Sequence, residues 1–268
     1  MTCSRFRGAV LVSSLTVFAM ASCWAQGGTV VGTIHLTGTP PPNPLIRMGA
    51  DPNCARINAG KRVVQELVEK SADGALANVF VHVQGSFPQA HGGSGTVTLD
   101  QQGCMYHPRI VAAQVGQTLA IKNDDPVLHN IHSIDPSKKY EFDQSQPGAG
   151  LVFNVALKSE EVMLHVKCQV HPWMVGYIGI VNNPFYAVSD TSGKFKIDNV
   201  PAGKQTIEVW DEVYGPLTQS VDVKAGGTVT ADFTYTGTEH PASSSLGPVQ
   251  EIMLPAGTTL ASFIPPTH

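Results

Sequence analysis

Charge is scarce in this chain: only 14% of its 268 residues are Asp, Glu, Lys or Arg, and the formal balance is −4 with histidine neutral. A surface without a basic field gives a phosphate backbone little to bind, so nucleic acid is not an expected partner. Long amphipathic helical patterns are also scarce, and past the first residues no stretch is long and apolar enough to cross a bilayer as a helix. There is no nucleophile with a matching general base in motif context and no glycine loop that would cradle a phosphate. The expectation from these absences is a protein that is not an enzyme.

What the chain does contain is glycine, at 26 residues, and proline, at 19, a composition that points to β structure joined by turns. Arg5 and Arg7 precede an uncharged run, residues 8–21, that is short for a membrane span and suited to a secretory signal. Ala21, Ser22 and Ala25 offer cleavage sites. Met20-Ala21-Ser22-Cys23 loosely resembles a lipobox that would place a lipid on Cys23, although Met20 stands where an aliphatic residue is usual; an uncleaved anchor is the remaining alternative. Removing residues 1–25 leaves 15 basic residues against 21 acidic ones, a net charge of −6. The expected location is periplasmic or secreted, with no transmembrane helix in the mature chain.

Cys3 and Cys23 fall in that leader, leaving Cys54, Cys104 and Cys168 for an oxidising compartment. Two can pair. Cys54 and Cys104 are assigned to each other, because Cys168 sits inside a pattern of metal donors that needs its thiolate.

Alternating or apolar runs predict strands over residues 29–36, 79–83, 96–99, 110–115, 118–121, 151–157, 162–166 and 177–181. Residues 39–44, rich in proline, form an extended loop, and residues 61–70 read equally as a short helix or an edge strand. A second set of runs covers 185–188, 194–197, 206–210, 220–223 and 228–235. The expected fold class is all-β: a Greek-key sandwich plus a second small sandwich. The domain reading is a leader at 1–25, an N-terminal β segment at 26–77 packing on the sandwiches, a first domain at 78–183, a second at 184–236 and a poorly structured tail at 237–268.

The most informative stretch is Cys168-Gln169-Val170-His171-Pro172-Trp173-Met174. A thiolate, an imidazole and a thioether lie within seven residues between two predicted strands, so one loop can wrap three donors around an ion. His129, 39 residues upstream in a loop that follows a strand, supplies the missing imidazole. Soft sulfur donors with two imidazoles match a blue-copper electron-transfer site.

Residues 96–181 resemble the cupredoxin family, and the short Cys-x-x-His-x-x-Met loop is similar to that of its amicyanin type. The resemblance implies one type 1 copper ion, cycling between Cu(I) and Cu(II), with His129 and His171 as imidazole ligands, Cys168 as thiolate and Met174 as weak axial donor. It implies that Asn130 locks the two ligand loops together and that His171 is the ligand nearest the surface. Pro172 and Trp173, flanking it, are then a candidate electron port, with ordinary loop packing by Trp173 as the competing reading. Residues 184–236, through Gly193-Lys194-Phe195-Lys196-Ile197 and the segment ending in Trp210, resemble carboxypeptidase regulatory-like sandwiches, which carry no catalytic residues.

The leading functional expectation is a one-electron carrier serving redox proteins outside the cytoplasm. Copper capture or delivery without redox turnover is the alternative, and a scaffold module is a third reading that would make no demand on the four donors. The chain has no His-x-His pair, which a trinuclear oxidase cluster requires. His132 is expected at the surface, His107 beside Cys104 could join a second metal site, and His35, His82, His91 and His165 have no ligand spacing.

Overall fold

The computed structural model describes residues 27–87 and 92–239. The expected leader with Cys3 and Cys23, His91 and nearly all of the expected tail lie outside the described residues.

β1 (Gly28–Leu36) alternates buried and half-buried side chains along its whole length, as its sequence pattern requires. After it the chain leaves the sheet for an irregular excursion that contains a single 3-10 turn, Met48–Ala50, and one short helix, α1 (Pro52–Ile57). It returns at β2 (Phe80–Gln84). Then follow β3 (Thr96–Gln102), β4 (Met105–His107), β5 (Ile110–Gln114), β6 (Thr118–Asn123), β7 (His129–Ile134), β8 (Asp143–Gln146), β9 (Leu151–Ala156), β10 (Glu161–Lys167) and β11 (Val175–Val181). The last strands are β12 (Tyr186–Val188), β13 (Lys194–Val200), β14 (Gly203–Asp211), β15 (Gly215–Val223), β16 (Thr228–Thr230) and β17 (Phe233–Tyr235).

The all-β class expected from the sequence is the class observed. One sandwich faces β4-β3-β6-β9 against β5-β11-β10-β7-β8; the other faces β12-β2-β14-β15 against β13-β1-β16, with β17 also on β1. Leu99, Leu119 and Ile121 meet Ile131, Leu164, Val166 and Ile178 inside the first sandwich, and Val30 and Ile34 meet Val81, Val83, Ile207 and Val209 inside the second. A third cluster, Phe80, Ile110, Met163 and Val181 with Tyr177 and Trp210, joins the two back to back. The middle sheets are therefore covered on both faces, which is why β11 reads as an unbroken apolar run and β2 is buried from Phe80 to Val83. Gly179 on β11 is required at this junction: a Cβ there would lie 2.6 Å from the Phe80 ring.

β2, expected within the first domain, pairs with β12 and β14 of the second sandwich, and β1 supplies that sandwich's opposite sheet. The alternating sequence specifies a strand but not its partner. Residues 61–70 are neither helix nor strand; Val64 and Lys70 make only isolated bridges. They form the return limb of the excursion. Ile46 N–H donates to Val63 O, Gln65 N–H to Pro44 O, and the Asn43 side chain bonds both ways with Val68, closing its base. Its tip lies against the first sandwich, burying Met48 and Cys54 in that core. This strap positions the site described next.

Candidate metal centre

His129 is the first residue of β7 rather than part of the loop before it. The loop is shaped by Asn123, whose Nδ2 donates to the Val127 and Gln146 carbonyls while its Oδ1 accepts from Asp125 N–H. Cys168, His171 and Met174 lie in the turn between β10 and β11, closed by Cys168 N–H to Met174 O at 3.0 Å and Met174 N–H to His171 O at 2.9 Å. Asn130 ties the two segments: its Oδ1 accepts from Gln169 N–H at 3.2 Å, and its carbonyl accepts from the Tyr106 hydroxyl.

The fold brings His129, Cys168 and His171 together, with donor atoms all within 4.8 Å of one another. The two Nδ1 atoms are 3.0 Å apart, and Cys168 Sγ is 3.8 Å from His171 Nδ1. All three side chains are 1% exposed or less, and Met174 is fully buried in the same core cluster.

Two carboxylates absent from the sequence reading complete the arrangement. Asp125 Oδ2 is 2.9 Å from His129 Nε2 and also accepts from Cys104 N–H, while its Oδ1 accepts from Gly103 N–H. Asp51 Oδ2 is 3.1 Å from His171 Nε2. Asp51 starts α1, and its placement before Pro52 is a helix-start signal visible in the sequence; its contact across 120 residues is not. Each Nε2 thus faces a carboxylate acceptor, and a ring that donates its Nε2–H to that acceptor turns its Nδ1 lone pair inward.

Burial pushes the Cys168 thiol up, but bonding to His129 and to nearby backbone N–H groups outweighs it and the thiol lies below its ordinary range. Burial likewise opposes charge on His129, and Asp125 and Cys168 overcome it, raising its pKa. His171 is lowered, by burial first, against the pull of Asp51. Asp51 is lowered, chiefly by its bond to His171.

Cys54 and Cys104 are joined, with sulfurs 2.08 Å apart, and Cys168 is the free cysteine among the described residues. The disulfide belongs to the site's wall: Cys54 Sγ lies 3.4 Å from His171 Nε2. The strap covers the outward edge of His171, which is 1% exposed, as is Cys168. Pro172 is exposed. Trp173 is half-buried, its ring centroid 5.2 Å from that of His171 and its indole N–H donating to Cys104 O at 2.9 Å, so it packs the loop against the disulfide.

The other histidines among the described residues stand apart from the centre. His107 is exposed on β4, His132 is half-buried 3.5 Å from Asp143, and His82 meets Glu208 at 3.0 Å. His165, expected to be unremarkable, has both ring nitrogens buried without a hydrogen-bond partner and stacks on Tyr177 at 4.9 Å.

No family model and no curated protein matches the sequence. Solved structures do. A Cu-containing nitrite reductase (NirK) from Thermus scotoductus SA-01 aligns at 22% identity over 32% of this chain and 22% of its own length, with a TM-score of 0.30. A purple cupredoxin from Nitrosopumilus maritimus aligns at 28% identity over 31% of this chain and 97% of its own, with a TM-score of 0.27. A Cu(I) amicyanin variant aligns at 17% identity over 37% of this chain and 97% of its own, with a TM-score of 0.28.

Proposed function

We propose that His129, Cys168 and His171 hold one type 1 copper ion, with Met174 as its weak fourth donor, and that the protein is a one-electron carrier outside the cytoplasm. The observation that carries this reading is the convergence of two Nδ1 atoms and a sulfur at a buried point, with each Nε2 facing a carboxylate. The two Nδ1 atoms, 3.0 Å apart, share one proton between them or, with both lone pairs inward, one cation. Two imidazoles and a thiolate, with a thioether as weak fourth donor, match the blue-copper donor set.

Bound there, copper would supply a Cu(I)/Cu(II) couple. The chain's own residues do the rest. Asp125 fixes the His129 ring, Asn130 holds the two ligand segments at constant separation, and the surrounding apolar core excludes water. A frame of this rigidity limits rearrangement when the electron arrives or leaves. Trp173 against His171, with exposed Pro172 beside it, is the proposed electron port toward redox protein partners. Export by residues 1–25, with lipidation of Cys23 as its variant, belongs to the same proposal. So does the resemblance of residues 184–236 to carboxypeptidase regulatory-like sandwiches, as a non-catalytic unit that carries the strap. Copper delivery is disfavoured by a site buried on every side, because release requires a path for the ion.

Purified protein loaded with copper is expected to develop an intense thiolate-to-copper band in the visible and to give a reversible one-electron voltammogram. A colourless, redox-silent complex would replace the carrier with the delivery reading, and failure to bind copper would remove both.

A further inference from the structure

The strap carries more than a lid would need. One oxygen of Asp51, Oδ1, accepts from Asn53 N–H at 2.8 Å and from Cys54 N–H at 3.2 Å, capping α1. With that oxygen fixed, the direction of Oδ2 is fixed too, and it faces His171 Nε2 at 3.1 Å. Three residues on, the Cys54–Cys104 bond ties the helix to the first sandwich, and Asn58 Nδ2 donating to Gly103 O at 2.9 Å adds a second tether beyond it. The carboxylate is thus delivered by a segment rooted in one sandwich to an imidazole of the other and locked there covalently. A lid would require only apolar cover, which Met48 and Cys54 already supply.

We propose that Asp51 is the positioning residue for His171: its Oδ2 accepts a hydrogen bond from Nε2–H, holds the ring with Nδ1 toward the Cys168 sulfur, and closes the ring edge to solvent. This rests on the copper reading for its purpose but not for its geometry. Without the carboxylate the imidazole can carry its proton on either nitrogen and turn about its Cβ–Cγ bond, and the Nδ1–H form presents no lone pair to a metal.

Two substitutions in the full chain separate this role from the helix cap. Asp51→Ala removes both. Asp51→Asn keeps the cap, since asparagine is as good an N-cap as aspartate. Its carbonyl oxygen stays on the two N–H donors and its amide nitrogen turns to His171, where it donates to Nε2 and forces the proton onto Nδ1. Long-range 1H–15N spectra of the metal-free proteins read the tautomer directly. The wild type is expected as Nε2–H, Asp51→Ala as a mixture, and Asp51→Asn as Nδ1–H. Cu(II) titration is expected to give about 10- to 100-fold weaker binding for Asp51→Ala and a further loss for Asp51→Asn. Retention of the wild-type tautomer and affinity in Asp51→Asn, with the disulfide intact, would overturn the proposal. Because the tautomer is measured without metal, a wild type that binds no copper sinks the function and leaves this assignment separately decided.

Discussion

Cys168 is the residue on which the chemistry depends, since it is the only soft anionic donor in the group and its sulfur is held by the backbone N–H of His171 at 3.4 Å. Cys168→Ser exchanges that sulfur for a hard, neutral hydroxyl. The expected result is loss of the visible band and of the voltammetric wave, with the far-ultraviolet dichroism of the β sandwiches unchanged, because the core around it is built by Leu164, Val166 and Ile178. Met174→Leu is expected to retain copper and raise its potential, since removing a thioether disfavours Cu(II); an unchanged potential would take Met174 out of the ligand set. The proposed donors were legible in the sequence because three of the four lie within one loop. Asp51 and Asp125 were not: a carboxylate is a common surface residue, and only folding reveals that it faces a ring nitrogen.

At the scale of elements, the strap is the feature that closes the site. It spans a closed base between residues 43–46 and 63–68 and a tip joined to Cys104, with 50 residues separating the bonded cysteines. Replacing both Cys54 and Cys104 by Ala is expected to lower the unfolding free energy by about 4 kcal/mol, from the freedom returned to the unfolded chain. Urea denaturation measures this, and thiol titration of the demetallated wild type should find one reactive thiol; three would remove the disulfide. Strands such as β1 and β14 were visible from alternation or apolar content. β4, β7 and β8 were missed: β4 and β8 are three and four residues long, and β7 carries His129, Asn130, His132 and Ser133 among its six residues. α1, at six residues, is too short for a helical period to register. The placement of β2 in the second sandwich depends on which faces Phe80 and Val81 cover, information that resides in the partner strands.

The whole molecule is a four-sheet stack, keyed at its middle by Phe80 against Gly179 and by Arg109, which grips Glu212 with two bonds of 2.7 and 2.8 Å. Burial pushes Glu212 up and Arg109 holds it down. His165 lies near the same junction, and burial, with Lys167, Arg109 and His132 adding to it, lowers its pKa to about 4 from an ordinary 6.5. The unfolded chain therefore binds the extra proton between those values, so stability is complete above pH 6.5 and is lost as pH falls toward 4, by about 3 kcal/mol. Asp211 acts in the opposite sense: burial raises it to about 6 from 3.8, so its share of stability falls as pH rises through that window. His165→Phe keeps the stack on Tyr177 and is expected to remove the first effect, leaving metal-free protein more stable at pH 4.5 relative to pH 6.5 than the wild type is. An identical pH profile in the variant would show that His165 titrates normally.

The central claim is that two imidazoles and one thiolate from separate segments close on a single copper ion. X-ray absorption at the copper edge of the loaded wild-type protein tests it most directly. The account predicts one short copper–sulfur bond and two copper–nitrogen bonds, with the sulfur contribution gone in Cys168→Ser. A spectrum fitted by nitrogen and oxygen alone, or a sulfur signal that survives that substitution, would contradict it.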